Sequence, residues 1–119
     1  MEFDVDELTV QQTYLRMVQL ISPRPIAWVS TLSSDGVANL APFSFFSGVG
    51  ANPPTVCFAP AFNANGRPKD TLENIQRTGE FVVNIVTEAV AQAMHRSADD
   101  VDPDIDEFQL SGVSHAESV

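Results

Sequence analysis

The apolar positions of this chain change period several times, and each change marks an element. Val10, Tyr14, Met17 or Val18, and Ile21 recur at helical spacing, which predicts a first helix over 9–20. Its start carries a capping box, with Thr9 as N-cap and Gln12 placed to reach back to it. Pro23 and Pro25 forbid its continuation, because proline lacks the donor that a helix interior needs. From there the pattern turns β-branched and aromatic, so 26–32 reads as a strand. Ser34-Asp35-Gly36 supplies a hairpin turn, since glycine accepts the positive φ that such turns require. A second strand follows over 37–41, and Pro42 belongs at a sheet edge or a strand end.

Asn52-Pro53-Pro54 breaks the chain again, and 55–59 reads as a short third strand before a polar loop over 63–68. Asp70 and Glu73 match an N-cap and its N3 partner, which predicts a helix over 71–78 with Leu72 and Ile75 facing inward. Gly79 is well suited to the position just past its end. Residues 81–86 read as a buried strand and Thr87 as the N-cap of a third helix over 88–96. No repeat or linker divides the 119 residues, which are expected to form one domain.

Composition narrows the function classes. At 44% hydrophobic and 18% charged, the chain is of ordinary globular make-up. A formal charge of −10 argues against nucleic acid or anionic membrane as a main partner, because phosphates would be repelled. The single cysteine, Cys57, sits in an apolar run and reads as a small buried hydrophobe, which fits a reducing, cytoplasmic compartment. The acidic start, Met1-Glu2-Phe3-Asp4, lacks the pattern of a signal peptide, and no run approaches a membrane span. Arg67 and Lys69, the latter the only lysine, fall two residues apart in a loop and suggest a local anion site. The acidic run 99–107 lacks the turn glycine and closing glutamate of a calcium loop and reads as a solvated loop. His95 and His115 have no ligand pattern around them, so no metal is expected, and Trp28 reads as core. There is no dinucleotide fingerprint, phosphate loop or nucleophile elbow, and no dedicated catalytic acid, base or nucleophile stands out.

Five blocks in sequence then carry a more specific signal: Pro23-Arg24-Pro25-Ile26-Ala27-Trp28-Val29-Ser30-Thr31; Asn39-Leu40-Ala41-Pro42-Phe43-Ser44-Phe45-Phe46; Asn52-Pro53-Pro54; Lys69-Asp70-Thr71 followed by Asn74-Ile75; and Thr78-Gly79-Glu80-Phe81-Val82-Val83-Asn84. Together they resemble the flavin reductase-like family of FMN-binding split barrels, including its flavoredoxin-like members. The resemblance implies a mainly β fold, an antiparallel Greek-key split barrel with peripheral helices, whose last strands lie beyond Val119. It also implies a homodimer with non-covalently bound FMN near the subunit interface. The implied reaction is hydride transfer from NADH or NADPH to FMN, with the reduced flavin serving a downstream acceptor. The alternative is an FMN-carrying electron-transfer protein that never meets a nicotinamide. Carried over residue by residue, Lys69, Asp70 and Thr71 with Arg67 would clamp the FMN phosphate at a helix start. Asn39, Ala41, Pro42, Phe43 and Ser44 would line the flavin, with Thr31 on the adjoining strand.

Overall fold

The computed structural model describes residues 2–62 and 66–118, so part of the loop expected at 63–68 lies outside the described residues. The framework is antiparallel throughout. Strand β1 (Ala27–Leu32) runs into β2 (Ala38–Phe43) through a tight turn. There the Ser33 N–H bonds the Val37 carbonyl at 2.8 Å, and Gly36 takes a φ of +82° that a side chain would strain. β1 is central, flanked by β2 on one side and by the later strand β5 (Val82–Ile85) on the other. Pro42 therefore lies in an outer strand, as expected, where its missing N–H is tolerated. β5 is also outermost, which is why it is only partly covered rather than buried along its length.

A second, two-stranded sheet pairs β3 (Phe46–Ala51) with β4 (Pro54–Phe58), with a register shift between Gly48 and Gly50. β3 has no counterpart in the sequence reading, because its glycines interrupt any alternation. Among the described residues the two sheets do not close into a barrel. The Cys57 expectation is corrected as well: β4 is exposed along most of its length, and Cys57 with it.

The three-stranded sheet buries both faces. Ala27, Val29 and Phe43 point to one side and pack with Phe46, Phe58 and Val83, the Phe43 and Phe58 rings lying 5.2 Å apart. Trp28 and Leu40, one position out of phase, face the opposite side and meet Ala93, Val90, Met94, Phe108 and Val113. The Trp28 indole N–H donates to the Ser97 hydroxyl at 2.8 Å, which satisfies the polar atom that a buried tryptophan brings with it.

The helices surround this framework. Helix α1 (Val10–Leu20) begins with the expected capping box: the Gln12 N–H donates to Thr9 Oγ1 at 3.2 Å and the Thr9 N–H to Gln12 Oε1 at 2.9 Å. None of its residues is buried, and Val10, Leu15, Met17 and Leu20 are left exposed. Arg24 fastens its end by donating to the carbonyls of Val18 and Ile21 at 2.6 and 2.8 Å, and Tyr14 meets the edge of Phe45.

Helix α2 (Asp70–Thr78) starts one residue earlier than the sequence suggests. Lys69, not Asp70, holds the N-cap position, and no side chain caps the helix. Its buried residues are the polar Thr71 and Asn74, whereas Leu72 and Ile75 are half-buried, because α2 seats on a polar stretch of the sheet. Gly79 ends it with a φ of +75°, as expected. A 3-10 turn (Glu88–Val90) leads into α3 (Ala91–Arg96), and Thr87 stands at the start of that turn without a side-chain cap bond. The acidic run read as a solvated loop ends in a short helix, α4 (Glu107–Ser111). The Asp106 carboxylate accepts from the N–H groups of Phe108 and Gln109 at 2.9 and 3.4 Å and so caps it.

Candidate functional site

The sheet and α2 meet through side chains whose polarity the register dictates. Thr31 of β1 and Asn39 of β2 are directly opposite in an antiparallel pair, so both side chains leave the same face. On α2, Thr71 and Asn74 are three residues apart and share a face. The four interlock: Asn39 donates to the Thr71 hydroxyl at 2.9 Å, and Asn74 donates to the Thr31 hydroxyl at 3.0 Å. All four are buried, and such bonds contribute roughly 0.5–1.5 kcal/mol each while fixing the helix in one register. In both bonds the threonine oxygen accepts, and a hydroxyl that accepts one bond can donate another.

The start of α2 opens into a cleft of about 220 Å³. Its walls are Asn39 and Ala41 of β2, residues 67–71, residues 97–103, and Glu107 at the start of α4. The Lys69 carbonyl takes the N–H groups of Leu72 and Glu73 at 2.8 and 3.2 Å. By helix geometry the N–H groups of Asp70 and Thr71 have no intrahelical acceptor, and the Lys69 side chain makes no cap bond. The cleft thus has a helix N-terminus with its partial positive charge, the side chains of Arg67 and Lys69, and the Thr71 hydroxyl along one wall.

The rest of the lining is rich in carboxylates. Asp99, Asp100 and Asp102 also line the cleft, and Glu107, which lines it too, is buried. Glu107 Oε2 accepts the N–H of Leu40 at 3.2 Å, a bond to the outer strand across 67 positions of sequence. Burial raises the Glu107 carboxyl above the ordinary glutamate range; its bonds from backbone N–H groups oppose this, and the charges of Asp70 and Asp106 add to it. Asp70 is raised too, first by burial and then by Glu73, with Arg67 and Lys69 pulling the other way.

Of the ten residues singled out from the sequence, the cleft brings together Asn39, Ala41, Arg67, Lys69, Asp70 and Thr71. Thr31 stands one layer behind, bonded to Asn74. Phe43 is directed into the core, and Pro42 and Ser44 are half-buried along the chain leading away. Asp70 belongs to the site as the first residue of α2 and not as its cap. The sequence reading missed Ser97 and Glu107, because the first follows a helix with no stop signal and the second was absorbed into an acidic loop. Asp106 followed by Gln109, an N-cap with its N3 partner, was the signal that a helix starts there. Among the described residues no group of three or more histidine, cysteine, aspartate or glutamate side chains could hold a metal ion. No described helix is long and apolar enough to cross a membrane.

Residues 20–119 match the family described as flavin reductase like domain. An uncharacterised protein of Aquifex aeolicus is 40% identical over 114 residues, which is 96% of this chain and 58% of that protein. Among solved structures, nitrilotriacetate monooxygenase component B from Bacillus cereus superposes with a TM-score of 0.93 at 34% identity, covering 100% of this chain and 58% of that one. A Shewanella frigidimarina protein assigned as a flavin reductase with a split barrel domain shares the fold, with a TM-score of 0.74 at 24% identity over 99% of this chain and 59% of that one. The chain therefore spans a little over half the length of these relatives.

Proposed function

This chain belongs to the flavin reductase-like family, and on that premise we propose that it carries the phosphate-holding part of a non-covalent FMN site in an NAD(P)H-dependent flavin oxidoreductase. One observation carries the proposal: the N-terminus of α2 lacks a side-chain cap and opens into a cleft with Arg67, Lys69 and the Thr71 hydroxyl around it. Backbone N–H groups, a helix dipole and two cations form the donor set that a phosphate takes. The cleft volume of about 220 Å³ is smaller than the roughly 300–1,000 Å³ of a pocket enclosing a whole drug-sized ligand, which suits one end of a flavin.

In this reading Lys69 and Arg67 neutralise the phosphate, the Asp70 and Thr71 N–H groups orient it, and Thr71 donates its hydroxyl proton. Asn39 holds Thr71 from below, and the stretch from Asn39 through Ala41 and Pro42 to Ser44 supplies backbone polar groups and an apolar wall to the ring system. When bound, FMN supplies the redox chemistry, accepting a hydride from NADH or NADPH and passing electrons on to an acceptor. The chain's own contribution in this reading is position and charge.

The protein works as a homodimer in this reading, supported by the apolar residues that this chain leaves uncovered. Val10, Leu20 and Ile85 are 89%, 75% and 73% exposed, and pairing of subunits is a common way to cover such surface. The test is direct. FMN and riboflavin are titrated into the whole apoprotein, and NADH or NADPH is added anaerobically to the yellow complex. Tighter binding of FMN than of riboflavin and bleaching of the flavin band are expected. Equal affinity for the two flavins would remove the phosphate site, and an unbleached band would leave an electron carrier that does not meet nicotinamide.

A further inference from the structure

Glu107 is the one buried carboxylate that faces the cleft without a part in the phosphate reading. It is 6% exposed, it lines the same cleft as Arg67 and Lys69, and it spends one oxygen on the Leu40 N–H of the outer strand. That bond makes it hard to displace, because moving the carboxylate would strand a backbone donor. An arriving phosphate brings about −1.5 to −2 charges into the same cleft. Two anionic groups sharing one cleft favour each other's protonation, most of all where one of them is buried.

Resting on the proposed FMN reading, we infer that Glu107 is a specificity-determining residue of the cleft: it takes up a proton from solvent when a phosphorylated flavin enters, so that the preference for FMN over riboflavin falls as pH rises. No bond of the flavin changes in this step; the proton passes from solvent to the Glu107 carboxyl, which remains seated on Leu40. The surroundings favour uptake there. The charged groups around it are Asp70 and its neighbour Lys69 at the start of α2, Arg67 before them, Asp99, Asp100 and Asp102 after α3, Arg96 of α3, which donates to the Ser111 carbonyl of α4, and Asp106 at the start of α4, while β2 contributes no titratable group. The carboxylates outnumber the cations, and burial already holds the Glu107 carboxyl toward its neutral form.

The test uses Glu107→Gln in the whole protein, since the glutamine oxygen can still accept from Leu40. Intact folding is checked by Trp28 fluorescence and the urea midpoint. The dissociation constants of FMN and riboflavin are then measured between pH 5.5 and 8.5. The phosphate's own second ionisation is common to both proteins, so the difference between their profiles isolates residue 107. FMN is expected to bind Glu107→Gln up to about ten-fold more tightly at the alkaline end, one pKa unit corresponding to one decade, with the two proteins converging at the acid end. Riboflavin affinity is expected to be the same in both proteins.

Superimposable FMN profiles, or an equal change for FMN and riboflavin, would overturn the inference. If the variant does not fold, calorimetric titration of the wild type with FMN in two buffers of different ionisation enthalpy decides instead. Proton uptake with FMN and none with riboflavin supports it, and no uptake with either flavin overturns it. Failure of the underlying phosphate site has its own signature, since wild-type protein would then bind FMN and riboflavin equally at every pH.

Discussion

The side-chain amide of Asn39 donates to the hydroxyl of Thr71 at 2.9 Å, joining the outer strand to the first turn of α2. This bond ties the fold to the cleft, because both residues line it. Asn39→Ala leaves a buried hydroxyl without its partner and is expected to cost about 1–3 kcal/mol, read as a lower urea midpoint. Thr71→Val removes the other half. The double variant is expected to cost less than the sum of the singles by about 0.5 kcal/mol or more, as for residues in direct contact. Strictly additive losses would show that the two side chains stabilise the protein independently.

Lys69 separates phosphate recognition from stability. If the FMN phosphate sits at the start of α2, Lys69→Ala removes a charge-assisted bond of about 1.5–3 kcal/mol. FMN affinity is then expected to fall roughly ten- to a hundred-fold, at 1.4 kcal/mol per decade, with riboflavin affinity unchanged. Flavin fluorescence titration reads both. Equal weakening of the two ligands would move the phosphate elsewhere.

Asp70 is expected to contribute less to stability than its place in the sequence suggests. It makes no capping bond, so Asp70→Ala should not show the loss of about 1 kcal/mol that follows removal of an N-cap. A fall in thermal midpoint equivalent to that loss would mean that Asp70 caps the helix in solution.

Stability should also fall with rising pH through the raised carboxyls. Burial holds Glu107 and Asp70 above their ordinary values in the folded chain, which therefore binds protons more tightly than the unfolded chain does. Their stabilising contribution is fully present below the ordinary carboxylate range, near pH 4, and is lost as pH rises through the raised values. Urea unfolding of wild type and Glu107→Gln across pH 4–8 should show a steeper decline for the wild type. Parallel curves would count against a raised Glu107.

Thr9→Ala removes the hydroxyl of the capping box of α1 and is expected to cost that helix about 1 kcal/mol. Because α1 buries no residue in this chain, the loss should stay local. Amide exchange within Val10–Leu20 is expected to accelerate while the global urea midpoint stays within about 0.5 kcal/mol. A large global loss would show that α1 packs against something in the whole protein.

Elements with local signals were legible and those defined by distant partners were not. The box of Thr9 and Gln12, the turn at Gly36 and the stop at Gly79 each act within a few residues, and each appears where its chemistry puts it. β3 was missed because Gly48 and Gly50 erase the alternation that marks a strand, and its identity comes from pairing with β4. The start of α2 was misplaced by one residue because Asp70 is a better intrinsic cap than Lys69, but its carboxylate makes no cap bond. At the site, the cluster of Arg67, Lys69 and Thr71 was visible from spacing and resemblance. Glu107 was not, since its partner is a backbone N–H in β2, which no side-chain pattern encodes.

The central place of β1 also sets an order of assembly. Its pairing with β2 closes through a turn of a few residues, whereas Trp28 meets Asn84 of β5 only after the chain has returned across 56 positions. Closure of short loops takes tens of nanoseconds and a hairpin microseconds, while long-range pairing carries a larger entropic cost and raises contact order. The β1–β2 hairpin is therefore expected to be native-like in the folding transition state and β5 to dock late. Substitutions in the hairpin would slow folding, and substitutions in β5 would chiefly speed unfolding.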